Sequence, residues 1–287
     1  TSFYQPLDTA QRFFVEPRVF YTRAWEDVFF DQERLARYKY SDGGGNFDVG
    51  VNISDDAQIR AGYLYTRRNA SVETGSRILP EVTRHDAGLT VAATYDSRDT
   101  AFNPTRGLAA ALEYAYIDDS LGAELDWERL ELGIAMAVPV RSDVVRVTLA
   151  GGTDLNSAMP RDRNFMLGGP GSFPGFELGE LRLTDYWTAS GSYLWKIKDI
   201  MSIRGQALYA GVRLEAGQAF GRLESGVLPG FGDDEVIYGG SLYLAGRTQA
   251  GPLTVGLGAT SSDSWSLWIA VGRPIGNGTI LERGIFR

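Results

Sequence analysis

The sequence predicts an all-β fold: a closed, antiparallel transmembrane β-barrel of twelve strands. Three observations predict it. Apolar residues alternate with small or polar ones along most of the chain, the signature of strands whose side chains point to opposite faces. The clearest apolar faces span about nine to eleven residues, the length that a tilted strand needs to cross a bilayer. Short and long connections alternate, as they do between the two ends of a bacterial barrel.

The first strand is expected over 13–25, opening on Phe13-Phe14. The second covers 35–53, with a Tyr-rich start near Tyr38 and Gly43–Gly45 treated as a bulge or bend. Strands three and four are placed at 57–70 and 81–96, carried by Ile59 to Tyr65 and by Ala87 to Tyr95. Leu108, Ala110, Leu112, Tyr114 and Tyr116 define the fifth, at 105–118. Leu130, Leu132, Ile134, Met136 and Val138 define the sixth, at 124–139. The seventh (143–155) alternates through Val145, Val147 and Leu149, and the eighth (182–197) through Trp187, Ala189, Tyr193 and Trp195. Leu208 to Leu214 mark the ninth (201–216), and Leu242 and Leu244 the tenth (235–248). The last two, 252–261 and 264–273, are the cleanest: Leu253, Val255 and Leu257, then Trp265, Leu267, Ile269 and Val271.

The opposite face holds Gly, Ala, Ser and Thr with scattered charges, a poor core but a workable lumen. Tyr95, Tyr114, Tyr116, Trp187, Trp195 and Trp265 sit near the ends of apolar faces, where interfacial aromatics belong. A large soluble β-domain is the rival, and it lacks enough bulky residues to cover so many apolar faces. No run of eighteen apolar residues exists, so no membrane-spanning helix is expected. A net charge of −8 argues against a nucleic-acid partner. There are no cysteines and one histidine, His85, which excludes metal sites built from those ligands; no cofactor is expected. No signal peptide is visible, so Thr1 reads as a processed start, and residues 1–287 read as one domain.

Two segments carry more than periodicity. Tyr95-Asp-Ser-Arg-Asp-Thr-Ala-Phe-Asn-Pro-Thr-Arg-Gly107 has an Asp-x-Arg-Asp stretch followed by Pro-x-x-Gly. Phe165-Met-Leu-Gly-Gly169 precedes Gly175-Phe176 and Gly179-Glu-Leu181. These resemble, respectively, the periplasmic turn and the long inward-folding loop of the bacterial surface-antigen outer-membrane barrels of the BamA/TamA type. Tyr4-Gln-Pro-Leu-Asp8, with Phe13-Phe14 and Pro17, is similar to the barrel half of patatin-like secreted proteins. In that superfamily sixteen strands are usual, and five follow the long loop. Five also follow it here, which leaves part of a sixteen-strand barrel as the alternative to a closed twelve.

The resemblance implies residence in the Gram-negative outer membrane and a part in inserting or translocating polypeptide. Its implied partners are outer-membrane lipids, with a polypeptide substrate or a protein supplying periplasmic domains. It also nominates site residues: Asp96, Arg98, Asp99, Pro104 and Gly107 in the turn, and Phe165, Leu167, Gly168, Gly169, Gly175 and Phe176 in the loop (156–181). The family's loop tip commonly reads Val/Ile-Arg-Gly-Phe/Tyr. Here it is Phe173-Pro174-Gly175-Phe176, so the arginine contact to acidic lumen residues does not transfer.

Strand parity places Glu113, Glu131, Arg146, Arg204, Arg213 and Arg247 toward the lumen. Charge pairs that fill a small barrel account for them as well as an ion pathway does. Asp96, Arg98, Asp99 and Arg106 suit a charge network that ties the turn. An enzyme is not expected. There is no Gly-x-Ser-x-Gly elbow, and a barrel phospholipase would have to use His85. A passive solute pore or structural barrel stands as the alternative function.

Overall fold

Alternating strands joined by short turns pair most readily with their sequence neighbours, and the chain follows that rule throughout. The computed structural model describes residues 1–30, 33–75, 81–101, 103–177, 179–201, 206–220, 236–248, 251–271 and 280–283. Its strands are β1 (Gln5–Pro6), β2 (Phe13–Phe30), β3 (Glu33–Ser54), β4 (Ala57–Thr74), β5 (Val82–Asp96), β6 (Gly107–Ile117), β7 (Trp127–Val140) and β8 (Asp143–Thr153). They continue with β9 (Phe165–Leu167), β10 (Leu181–Leu183), β11 (Asp185–Met201), β12 (Gln206–Phe220), β13 (Val236–Thr248), β14 (Gly251–Thr260) and β15 (Trp265–Val271). One antiparallel sheet holds β1 to β8 and then β11 to β15 in sequence order, while β9 and β10 form a separate hairpin. Each of the twelve predicted segments overlaps one of β2–β8 and β11–β15, most of them overrunning the strand at one or both ends.

One face of the sheet is uncovered and apolar. In β15, Trp265, Leu267, Ile269 and Val271 are 77, 71, 71 and 61% exposed, too much for a core and appropriate to a face in contact with lipid. The other face, called the inner face below, holds Ala, Gly and buried charged residues such as Arg60, Arg84, Asp86 and Glu131.

Two expectations are corrected. Gly43–Gly45 is not a bulge: the ladder runs without a register shift through Tyr21↔Gly43, Phe20↔Gly44 and Val19↔Gly45. The physical need at this point is close approach. A Cβ on Gly44 would lie 2.2 Å from the Tyr65 carbonyl oxygen on β4. The second correction concerns closure. The sheet is thirteen-stranded and open, and among the described residues no ladder joins β15 to β1 or β2. The outer edge of β2 is already occupied. Residues 1–7 fold back along it, with Phe3 N–H donating to the Pro17 carbonyl (3.0 Å), Leu7 N–H to Phe13 (2.8 Å) and Val19 N–H to Thr1 (3.0 Å). A closing strand would compete for those same groups.

After β15 the chain returns to the inner face. The helical turn α1 (Ile280–Arg283) contacts β6 and β7, and Ile280 is buried against Gly133.

Candidate functional site

The connection from β8 to β11 is the longest described, and it lies against the inner face. Within it β9 and β10 pair as Phe165↔Leu183, Met166↔Arg182 and Leu167↔Leu181. The alternation that builds strands elsewhere gives this hairpin one apolar side: Phe165, Leu167, Leu181 and Leu183 are buried, packed with Ile117, Trp127, Tyr186 and Ile237 of the sheet. Phe165 meets Tyr186 edge-on, with ring centroids 5.1 Å apart, and the Arg129 guanidinium stacks 4.2 Å over the Phe165 ring. Gly168 ends β9 at φ +113°, a conformation that side chains resist, and a Cβ there would sit 2.2 Å from the Glu177 carbonyl oxygen. The Gly169 N–H donates to the Phe176 carbonyl (3.0 Å), closing the tip.

A ring of charges holds the base of the loop. Arg68 on β4 and Arg84 on β5 are directly opposite in the ladder, an arrangement that repels unless an anion intervenes. Asp162 of the loop supplies it, lying 3.3 Å from Arg68 and 2.8 Å from Arg84. Arg84 also pairs with Asp86 (2.8 Å), and Arg68 with Asp42 of β3 (2.7 Å). Arg163 completes the circuit by pairing with Asp86 and lying 3.8 Å from Asp42. Three arginines thus alternate with three aspartates. Burial pushes the Asp162 carboxyl up, but the Arg84 hydrogen bond and the charges of Arg84, Arg68 and Arg163 hold it below its ordinary value. Pattern reading missed this ring. The available signal was two arginines at inner-face positions on neighbouring strands, with an Asp-Arg pair in the loop.

The loop also touches both ends of the strand order. Arg182 pairs with Glu26 of β2 at 2.9 Å. At the tip, the Pro174 carbonyl accepts from the Ser266 hydroxyl of β15, Pro174 packs on Gly258 of β14, and Gly175 lies against Thr260 and Ser264. Phe173 and Phe176 are buried, Phe173 against Gly217 and Gly239.

In the short turn from β5 to β6, Arg98 donates to both oxygens of Asp96 (2.8 and 2.7 Å). Asp99 accepts from the backbone N–H groups of Thr105 (3.0 Å) and Arg106 (3.4 Å) and from the Thr105 hydroxyl. Burial raises the Asp99 carboxyl, and these hydrogen bonds bring it below the usual range. Arg106 enters through its backbone. Gly107 takes φ +106°, with the position a Cβ would occupy only 2.4 Å from the Ser97 carbonyl oxygen. Pro104 presents its carbonyl oxygen to Arg146 Nε (3.0 Å).

Of the charges assigned by parity, Glu113 and Glu131 stand opposite each other on β6 and β7. Glu131 is 1% exposed, accepting from the Tyr186 hydroxyl (2.7 Å) and pairing with Arg129 (2.9 Å). Arg213 on β12 pairs with Glu215 at 2.8 Å. Arg204 lies outside the described residues; Arg247 is in β13, and its side chain is likewise outside them. The His85 ring meets the Tyr65 hydroxyl at Nδ1 (2.9 Å) and lies 3.9 Å from Glu124, with no serine among these partners.

The Omp85 superfamily domain matches residues 1–218 of this chain. No curated protein matches it. Among solved structures, BamA from Haemophilus ducreyi lacking POTRA domains 1–3 superposes with a TM-score of 0.73 at 15% identity, covering 93% of this chain and 60% of that one. CdiB from Acinetobacter baumannii gives 0.62 at 12% identity, covering 93% and 48%, and CdiB from Escherichia coli 0.59 at 10%, covering 91% and 48%. The chain therefore spans 60% of the BamA chain and about half of each CdiB. Those likenesses establish the fold, and the domain match across most of the chain establishes the family: this protein belongs to the Omp85 superfamily of bacterial outer-membrane β-barrel proteins.

Proposed function

We propose that this chain acts as a single barrel domain that inserts polypeptide into the outer membrane or moves it across, with the loop over 156–181 as a plug of the interior. One observation carries the reading. The loop is fastened at three places on the inner face: the charge ring on β3–β5, Glu26 on β2 and Ser266 on β15. A connection that only joined two strands would have no reason to bury Phe165, Leu167, Phe173 and Phe176 there. On this reading the β5–β6 turn faces the periplasm, where a partner supplies the domains that receive substrate. Outer-membrane lipid contacts the apolar face. The likeness of Tyr4–Asp8 to patatin-like proteins adds no chemistry, and no catalytic role is assigned to His85.

Planar-bilayer conductance of the folded protein, beside a variant lacking 165–176, tests the plug. Silence in the intact chain and conductance in the deletion are expected; steady conductance in the intact chain would make it a passive pore. Proteoliposomes carrying the protein should speed the folding of an added, unfolded outer-membrane barrel. Equal rates with empty liposomes would remove the polypeptide role.

A further inference from the structure

The inner face carries a second arginine-bearing rung, in which Arg213 pairs with Glu215 while Arg146 meets no carboxylate within hydrogen-bonding reach among the described residues. Arg146 on β8 stands opposite Ser192 on β11, Ser192 opposite Arg213 on β12, and Arg213 opposite Ser241 on β13. Strands lie about 4.8 Å apart, so the two arginines are rooted about 10 Å from each other across a serine. They border a half-open cavity of about 300 Å³. Asn103 and Pro104 of the β5–β6 turn form one side of it, and Pro170 and Gly171 of the loop another. Its walls include Arg98, Arg146, Arg213, Ser190, Ser192 and Ser241, and no carboxylate among the described residues.

Charge and hydrogen bonding agree here. Arg98 and Arg213 have carboxylate partners, Asp96 and Glu215. Arg146 meets neutral acceptors only, the Pro104 carbonyl and Asn103 Oδ1 (3.4 Å). Three donors on the cavity's lining residues are shielded and unpartnered among the described residues: Arg146 Nη2, Arg213 Nε and Trp268 Nε1. Shielded donors without acceptors are costly, and a guanidinium that meets no carboxylate at the wall of a cavity suits an anion. At the β4–β5 rung the same problem, two arginines on neighbouring strands, is solved by a carboxylate from the loop.

We infer that this cavity binds a small oxyanion, a carboxylate or phosphate group held between Arg146 and Arg213 over the hydroxyl of Ser192. The site lies beyond the plug reading and does not depend on it. Titration calorimetry of the folded protein in detergent micelles, with inorganic phosphate and separately with acetate at fixed ionic strength in chloride, tests it. Saturable binding of one of the two at one site is expected, and which one binds identifies the group. Arg146→Gln should weaken it by about tenfold or more, as expected for loss of a charge-assisted hydrogen bond. Arg146→Lys should recover part of the loss. Ser192→Ala, which removes the hydroxyl that stands between the two arginines, serves as the second variant and should weaken binding several-fold. Heat-modifiable migration on gels reports that each variant is folded. Absence of saturable heat with both anions, or unchanged affinity in the folded Arg146 and Ser192 variants, would overturn the inference.

Discussion

At the β4–β5 rung, Arg68 faces Arg84 and the loop lays Asp162 between them; at the β8–β11–β12 rung, Arg146 and Arg213 flank Ser192, and Arg146 meets neutral oxygens. The residue types are alike, and the difference is where the counter-charge comes from. In the first region the anion is part of the chain, so charge pairing does structural work and fastens the loop. In the second, Arg146 is left with neutral acceptors at the wall of a cavity. A buried cation with its own carboxylate is a fastening, whereas one that borders a cavity without a carboxylate suits a receptor. Each region should therefore respond in its own way when a charge is removed.

The largest effect is expected from Asp162→Asn. It leaves Arg68 and Arg84 opposite each other with one carboxylate fewer, and breaking a buried pair from one side costs about 3–5 kcal/mol. Urea unfolding in micelles should show that loss, and limited proteolysis should show new cleavage around 161–163. A cost under about 1 kcal/mol would mean that the ring is not the fastening. Acid should act in the same direction. The folded-state Asp162 carboxyl lies below its ordinary value of 3.8, so its contribution is complete above that value and is lost as pH falls through the depressed one. Proteolysis of the loop should accordingly rise only in strongly acidic buffer, below about pH 4.

Phe165→Ala removes the aromatic that joins the hairpin to Tyr186 and lies beneath the Arg129 guanidinium. About 3 kcal/mol is expected in the same unfolding assay, with conductance opening partway toward that of the loop deletion. This anchor is apolar and should be insensitive to pH, which separates it from the ring. Gly107→Ala should cost less, about 1–2 kcal/mol, because it forces a Cβ onto a left-handed backbone next to the Ser97 carbonyl. Its effect on loop proteolysis should be small, since the β5–β6 turn is at the other end of the strands.

What the sequence made legible follows from locality. Period-two alternation is a property of each segment by itself, so β2–β8 and β11–β15 could be placed from their residues alone. Gly107 and Gly168 were singled out through motif resemblance, and their positive φ angles supply the physical reason. The charge ring was not legible, because Asp42, Arg68, Arg84 and Asp162 come from four separate segments and meet only once the register is set. Closure was misread for a related reason. A twelve-strand count says nothing of what occupies the first strand's edge, and residues 1–7 occupy it through backbone groups that carry no sequence signal. Parity concerns only the face on which Glu131 lies and carries nothing of its pairing with Tyr186 and Arg129.

The smallest stability effect is expected where the comparison is sharpest. Arg146→Gln removes a cation with no carboxylate in hydrogen-bonding reach among the described residues, so it loses its Pro104 and Asn103 contacts and the attraction of Asp99. Removing a shielded charge offsets part of that loss, and the net change should stay within about 1 kcal/mol. Arg84→Gln, the matched change in the ring, leaves Asp86 with Arg163 alone and Asp162 with Arg68 alone, and should cost several times more. Unfolding both variants under identical conditions, with and without phosphate, compares the two regions directly. The Arg84 variant should be destabilised equally in both buffers. If the cavity takes phosphate, Arg146→Gln should match the unmodified protein without it and fall behind with it, because only the latter gains stability from the bound anion. If acetate is the anion that binds, the same pattern should appear with acetate instead. A large loss in Arg146→Gln without either anion would show that this arginine, too, is a fastening, and the distinction between the regions would fall.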